Sequence, residues 1–523
     1  MPRASPVPWW QSVLLAALLG AFSLAVLTAQ LLSAHVTRVR KTNRKRRAKL
    51  YADAGVSKAD CPTVVGFFHP YCNAGGGGER VLFQALLHHL DEHPDHLLVV
   101  YTGDVGRENS LHVPPPPPWS EMGRATGDDI LERCSARFAI PLASHSRRSQ
   151  IRFVPLRSRS MVGDKYWRRL TLLGQSWGSV KMGLEALGEC IPDVWCDTMG
   201  YAFVYPLVRS FSSKTRIGAY VHYPTISTDM IQRVETRAAS HTNSASVAAS
   251  SWRSRAKLLY YRLFAFAYSF ALRRADVLVA NGSWTAAHLD TLTSRPKGST
   301  AVVYPPCDTG SLSSLPLEGR QPGAVVSLAQ FRPEKEHATQ LRLLRLALDK
   351  KPDLPLHLVL MGSSRDASDE ERIASLRALA TELRLDEHVE FVVNAPYSEV
   401  IERLSRASIG LSTMRDEHFG INVVEFMAAG LVTLSHASAG PLLDIAVKTD
   451  AGPTGFHADE PAAFAAELIR IVSTPPDEVL AIRKRARARA VATFGTKAFT
   501  DRWEDELWAR LDSDATRGGK KRQ

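Results

Sequence analysis

Short apolar runs recur along the chain and alternate with longer segments patterned for helices. In the first half the runs are Thr63–Phe68, Leu97–Thr102, Ile151–Leu156, Asp193–Cys196, Arg216–Val221, Asp276–Ala280 and Thr300–Tyr304. In the second they are Ala324–Leu328, Leu356–Met361, Val389–Val393, Ile409–Ser412 and Leu431–His436, with helical segments such as Glu336–Leu348 and Asp369–Leu383 between them. Near-continuous apolar strands separated by helices form parallel sheets covered on both faces. The Gly- and Pro-bearing stretch Asp308–Pro322 divides the rhythm in two. The pattern predicts an α/β protein with two doubly wound domains, residues 61–310 and 323–495, facing a cleft at the carboxyl edges of their sheets. Residues 496–523 follow as a helix, Lys497–Arg510, that can pack back on the first domain, and a basic tail.

The amino terminus differs. Gln11–Ala34 holds no charge, and as a helix it would be roughly 30 Å long or slightly more, enough for a bilayer core. It is longer than the apolar core of a signal peptide, and basic residues rather than a small-residue cleavage site follow it. Residues 1–50 are therefore expected to be a transmembrane anchor and basic stem. Nine Lys or Arg and no acid lie there, so most of the net charge of +12 is one local patch beside the apolar segment. That distribution fits membrane topology and argues against nucleic-acid binding. By the positive-inside rule the chain after Arg38–Lys49 is cytosolic. Lys520 and Lys521, fourth and third from the end, resemble a dilysine retrieval signal of endoplasmic reticulum membrane proteins or form a plain basic tail.

Pro114–Pro118 is expected to be a surface loop and Ala238–Ser251 an aperiodic one. The aromatic stretch Trp252–Arg274 is either an interfacial helix dipping into the cytosolic leaflet or a buried domain helix. Six cysteines show no C-x-x-C pair and no histidine at zinc-like spacing, so neither a disulfide framework nor a metal site is expected. Asp512-Ser513-Asp514 imitates a metal-binding pair but stands in the tail, far from any strand end.

Glu417-His418-Phe419-Gly420-Ile421 through Gly430 carries the chemistry. Gly420 suits a tight turn before a short apolar helix, and Gly430 suits its end. The free N–H groups of such a start attract an anion. Glu417 lies before the helix and Glu425 within it, among apolar neighbours where an unpaired charge is costly. The pair would hold hydroxyl-bearing parts of one ligand on either side of its charged centre. In the equivalent strand-to-helix turn of the second half, Arg332 and Lys335 would supply a fork and a point charge to a diphosphate. After the first strand, Gly75, Gly76, Gly77 and Gly78 allow close backbone approach without the spacing of a phosphate-binding loop or a dinucleotide fingerprint. His222 ends another strand of the first domain.

Glu417 and Glu425 resemble the E-x7-E motif of retaining glycosyltransferases with two Rossmann-like domains, the GT-B fold. His69–Val81, Tyr220–Ser227, Gln330–Lys335, Glu417–Gly430, Gly440-Pro441 and Asp444-Ile445 are similar to the eukaryotic α-1,2-mannosyltransferases that act on dolichol-linked oligosaccharide at the cytosolic face of the endoplasmic reticulum. The resemblance runs from about Cys61 to Arg510, with Asn422 and Leu442 where that family is expected to have glycine and lysine. It implies addition of the fourth and fifth mannoses from GDP-mannose, a co-substrate, with no metal or other cofactor. Arg332 and Lys335 would bind the diphosphate and Glu425 the ribose. Glu417, with the backbone of Phe419, Gly420 and Ile421, would position the mannose and its phosphate. His222, with Glu417 a catalytic candidate, and the Gly75–Gly78 loop would face sugar and acceptor. The implied partners are the dolichol-diphosphate oligosaccharide, the membrane and other glycosyltransferases of the pathway. Competing readings are the same fold acting on another lipid, such as phosphatidylinositol, and a non-catalytic scaffold.

Overall fold

The computed structural model describes residues 9–56, 62–106, 125–163, 166–167, 169–236, 251–364 and 366–512. Pro114–Pro118, most of Ala238–Ser251, the terminal lysines and Ser513-Asp514 lie outside them.

Two parallel sheets form the scaffold. The first contains β1 (Thr63–Phe68), β2 (His96–Thr102), β3 (Ile151–Pro155), β4 (Val194–Asp197), β5 (Arg216–Val221), β6 (Val277–Ala280) and β7 (Ala301–Val302), in the order β3-β2-β1-β4-β5-β6-β7. The second contains β8 (Ala324–Leu328), β9 (His357–Gly362), β10 (Val389–Val393), β11 (Ile409–Ser412) and β12 (Val432–His436), ordered β10-β9-β8-β11-β12 and closed by Phe456–Ala458. Both central strands are buried on both sides: Val64, Val65, Phe67 and Phe68 of β1 are fully enclosed, as are Ile409 and Leu411 of β11. This explains why their sequences are apolar rather than alternating.

Strand order reverses at β1/β4 in the first sheet and at β8/β11 in the second. Crevices open at such points because successive crossover connections leave to opposite faces. The glycine-rich loop follows β1, the Arg332–Lys335 turn follows β8, and the Glu417–Gly430 segment follows β11. All three chemical candidates thus sit at switch points. The last first-domain strand is shorter than its apolar run suggests. It is an edge strand, and Tyr304 beyond it turns its hydroxyl to Asp444, 3.0 Å away in the second half. The dividing stretch contains a short helix, Thr309–Ser313, capped by Asp308.

Trp9–Ala54 is one continuous helix. Its basic portion is partly a docking face: Arg40 donates to Phe211 O at 2.7 Å, Asn43 to Leu187 O at 2.9 Å, and Arg47 pairs with Asp193 at 2.7 Å. Arg38, Lys41, Arg44, Lys45 and Lys49 remain exposed. The expected span Gln11–Ala34 falls within this helix, and most of its side chains lie outside the described residues. Among the described residues no helix is long and apolar enough to cross a membrane.

The aromatic stretch is a helix, Ser251–Leu272, with apolar residues on both faces. Tyr261, Phe264, Tyr268, Ala271 and Leu272 enter the core, while Trp252, Leu259, Leu263, Phe266 and Phe270 are more than half exposed. The chain ends by crossing back to the first sheet. Trp503 is fully buried beside Phe67 and Tyr220, and a turn of π-helix, Glu504–Trp508, follows it.

Candidate active site

The short helix Ile421–Ala429 begins at Gly420, whose φ of 106° and ψ of 59° lie in the left-handed region open to glycine, and ends at Gly430 with φ 85°. A hydrogen bond from Gly440 N to Glu417 O, at 3.0 Å, holds the preceding turn. A side chain at Gly440 would strike Phe419 O, so glycine is required there. Phe419 itself is core, against Tyr304 and Phe494, and leaves its backbone to the cleft. Asn422 tethers the helix start to β8, donating to Leu328 O at 3.3 Å.

Lys335 and Glu417, 82 residues apart, meet in front of this helix start. The Lys335 ammonium is 2.5 Å from Glu417 Oε2 and 3.1 Å from Met414 Sδ. Arg332 stands beside it in the same turn, half-exposed and only 3.7 Å from Glu334, so its guanidinium is held loosely. Two elements therefore meet at one place, the ammonium and the N–H-rich helix start, with the Arg332 guanidinium in the same turn as the lysine. An anion placed there meets charge-assisted donors from each.

The first domain closes the other side. A side chain at Gly77 would collide with Ile421, and one at Gly78 would come 3.3 Å from His222 Nε2. The glycine loop thus lies directly against both the helix start and the histidine. At Gly75, φ is 79° and a side chain would run into Arg137. Glu79 caps the loop, accepting from Ala74 N at 2.8 Å and Gly75 N at 2.5 Å.

His222, half-buried, follows the last residue of β5. Burial first, then the nearby His418, push its pKa down to about 4, against a hydrogen bond to the Thr198 backbone. The ring is neutral at pH 7, and among the described residues its buried Nε2 has no hydrogen-bond partner. A substrate hydroxyl would satisfy that atom. His418 stacks on Tyr223 at 4.0 Å, and Tyr223 stacks in turn on Trp284 at 5.7 Å, so aromatic rings bridge the two halves beside His222. Burial likewise lowers the His418 pKa to about 4.

Glu425 is half-buried, and among the described residues nothing hydrogen-bonds its carboxylate. Burial pushes its pKa up to about 7, with Arg80 opposing and Asp308 adding to the shift. Such a carboxylate is short of donors, the condition that paired ribose hydroxyls would relieve.

Arg80 and Asp444, which lie in the motif segments but have no role assigned from the sequence, also act here. Arg80 follows the glycine loop, lies over the Phe138 ring at 5.4 Å, and its charge opposes the upward shift of the Glu425 carboxyl. Asp444 accepts from Ser283 N at 2.9 Å and from the Ser283 hydroxyl at 2.5 Å, fastening the second half to the start of helix Ser283–Thr293. Arg80 stands beside four glycines and Asp444 in the segment Asp444-Ile445, but the sequence does not show that Asp444 meets Ser283, 161 positions away.

Two facing Rossmann-like sheets, with an E-x7-E helix presented to the cleft beside a lysine, define a GT-B glycosyltransferase. Residues 62–293 match the family described as ALG11 mannosyltransferase N-terminus, and residues 317–489 match Glycosyl transferases group 1. A Homo sapiens GDP-Man:Man(3)GlcNAc(2)-PP-Dol alpha-1,2-mannosyltransferase is 43% identical over 442 residues, covering 83% of this chain and 85% of its own. The Caenorhabditis elegans protein of that name is 36% identical over 452 residues, 85% of this chain and 90% of its own. The chain belongs to this family of α-1,2-mannosyltransferases. The fold is shared with sucrose-phosphate synthase of Thermosynechococcus elongatus, at 16% identity and TM-score 0.56, over 87% of this chain and 100% of that one. It is shared also with the Burkholderia multivorans trehalose 6-phosphate synthase, at 13% identity and TM-score 0.59, over 87% and 100% respectively.

Proposed function

We propose that this enzyme moves mannose from GDP-mannose to a dolichol-diphosphate-linked oligosaccharide, forming the α-1,2 linkages of the fourth and fifth mannoses with retention at the anomeric carbon. The observation that carries the reading is the convergence of Lys335, Glu417 and the Gly420 helix start against the Gly77–His222 wall. As the glycosidic bond breaks, negative charge builds on the departing diphosphate. In this reading Lys335, Arg332 and the N–H groups at Ile421 and Asn422 would meet that charge, and preorganised donors of this kind supply most of the rate enhancement. Glu417 orients the mannose, Glu425 takes the ribose, and neutral His222 offers Nε2 to a sugar hydroxyl. The transfer step is metal-independent in this reading, because side-chain cations and helix N–H groups do the work a metal would do.

We place the enzyme at the endoplasmic reticulum membrane with its catalytic domains in the cytosol and one amino-terminal span. Support comes from the acceptor's lipid chain and from the exposed apolar face of Ser251–Leu272. Tyr260 of that helix bonds Leu173 N at 3.3 Å, which brings exposed Leu170, Leu173 and Trp177 alongside. Arg253, Arg255 and Arg262 on the same helix suit an anionic leaflet. The test is transfer by the purified full chain from GDP-mannose to the trimannosyl acceptor, with phosphatidylinositol and UDP-glucose as controls. Extension by two α-1,2 mannoses is expected. Equal transfer from UDP-glucose, preference for phosphatidylinositol, or no transfer would overturn the proposal.

A further inference from the structure

A second cluster of chemistry lies at the opposite end of helix Gly77–Glu92 from the glycine loop, where the carboxyl-terminal crossover returns to the first domain. His88 lies in the last turns of helix Gly77–Glu92, and His93 is the residue that caps it. Five positions along an unbroken helix would point the two rings apart. Because the helix ends at Glu92, the chain turns at His93 and swings its ring back toward His88. Both Nε2 atoms then meet a single carboxylate oxygen from another part of the chain: Glu504 Oε2 is 2.9 Å from His88 and 3.0 Å from His93. All three ligand-capable atoms lie within 4.8 Å of one another.

We propose that His88, His93 and Glu504 form a structural binding site for a divalent ion of the zinc class, stapling the carboxyl-terminal crossover to the first domain. Two imidazole nitrogens and one carboxylate oxygen are a borderline donor set that suits zinc, cobalt or nickel rather than magnesium or calcium. An ion about 2.0–2.2 Å from each atom is reached by sub-ångström shifts of side chains already facing one another. Water completes the shell, since His93 and Glu504 are partly exposed, their side chains 21% and 33% accessible. The rings are held for this role. His93 stacks on His96 at 4.5 Å, and Trp508, in the same π-helical turn as Glu504, packs against His89 and His96. A π-helical turn re-aims side chains by one position, and such turns concentrate at functional sites. Without metal the same atoms make His–Glu hydrogen bonds, which hold the crossover less firmly. The site is separate from sugar transfer and is compatible with a metal-independent reaction.

Its test uses the full chain, stripped with chelator and titrated with Zn2+ or Co2+, with Mg2+ as control. One Zn2+ per chain is expected, together with a Co2+ visible absorption band, quenching of tryptophan fluorescence by Co2+ and a rise in Tm of a few degrees. In the H88N/H93N variant, metal affinity should fall about a hundredfold or more, while mannose transfer by the metal-free protein is unchanged. Histidine modification mapped by mass spectrometry on the unmutated chain needs no variant. Zn2+ should protect His88 and His93. Absence of binding, unchanged stoichiometry and affinity in the variant, or protection confined to other histidines would overturn the proposal.

Discussion

Replacing Lys335 by methionine keeps the aliphatic stem and removes the ammonium that faces the anion site. In the free protein that ammonium is 2.5 Å from Glu417 Oε2, with side-chain exposures of 22% and 13%. A charge-assisted hydrogen bond in such a half-buried place contributes about 1.5–3 kcal/mol, and its loss strands the Glu417 carboxylate. The Tm should therefore drop. Catalysis should suffer more, because one preorganised donor to a developing charge is worth about 10²–10³ in kcat. The double variant K335M/E417Q separates the effects. With no charge stranded, it should recover most of the lost stability, giving a coupling of roughly 1–3 kcal/mol, while kcat stays at or below the single variant's value. The assays are thermal unfolding and radiolabelled mannose transfer at saturating donor. A K335M enzyme with kcat within about threefold of the parent, or a double variant that regains activity, would refute the assignment of Lys335 to the leaving diphosphate.

Glu425 provides a pH signature. Its pKa is raised from 4.5 to about 7, so the folded state holds a proton that the unfolded state has released, and this group's contribution to stability declines as pH rises from about 4.5 to about 7. E425Q should remove that decline. Ribose hydroxyls donate best to the ionised form, so affinity for GDP-mannose, whose phosphates do not titrate in this range, should rise between pH 6 and 8 in the parent. Calorimetry showing the same pH profile in E425Q would count against ribose recognition by this residue. Gly77→Val should drive a branched side chain into Ile421 and wedge the glycine loop from the helix start, lowering kcat/KM by about tenfold or more with a small Tm change; parental kinetics would show that the two surfaces need not close. Asp444→Ala removes three accepted hydrogen bonds from Ser283 and Tyr304 and leaves a part-buried N–H unpaired, at a cost of about 2–4 kcal/mol. A Tm within a degree of the parent would contradict its role as a clasp between the halves.

What the chain determines locally was legible in its sequence. Apolar runs such as Thr63–Phe68 and Ile409–Ser412 became the strands expected, because a strand buried on both faces leaves no choice but continuous apolar residues. Gly420 and Gly430 marked the ends of their helix because left-handed backbone excludes most other residues. The E-x7-E spacing, a property of a few consecutive turns, carried the family likeness. Tertiary structure alone decided which of these local pieces meet. Lys335 joins Glu417 across 82 positions, Ser283 joins Asp444 across 161, and His88 joins Glu504 across 416. It also turned part of the basic stem inward, giving Arg40 and Arg47 to the first domain. Periodicity and turn chemistry act over a few residues, whereas these contacts exist only after two sheets and a returning terminal helix have packed. That packing left the ammonium, the orphaned imidazole nitrogen and the proton-holding carboxylate around one cleft.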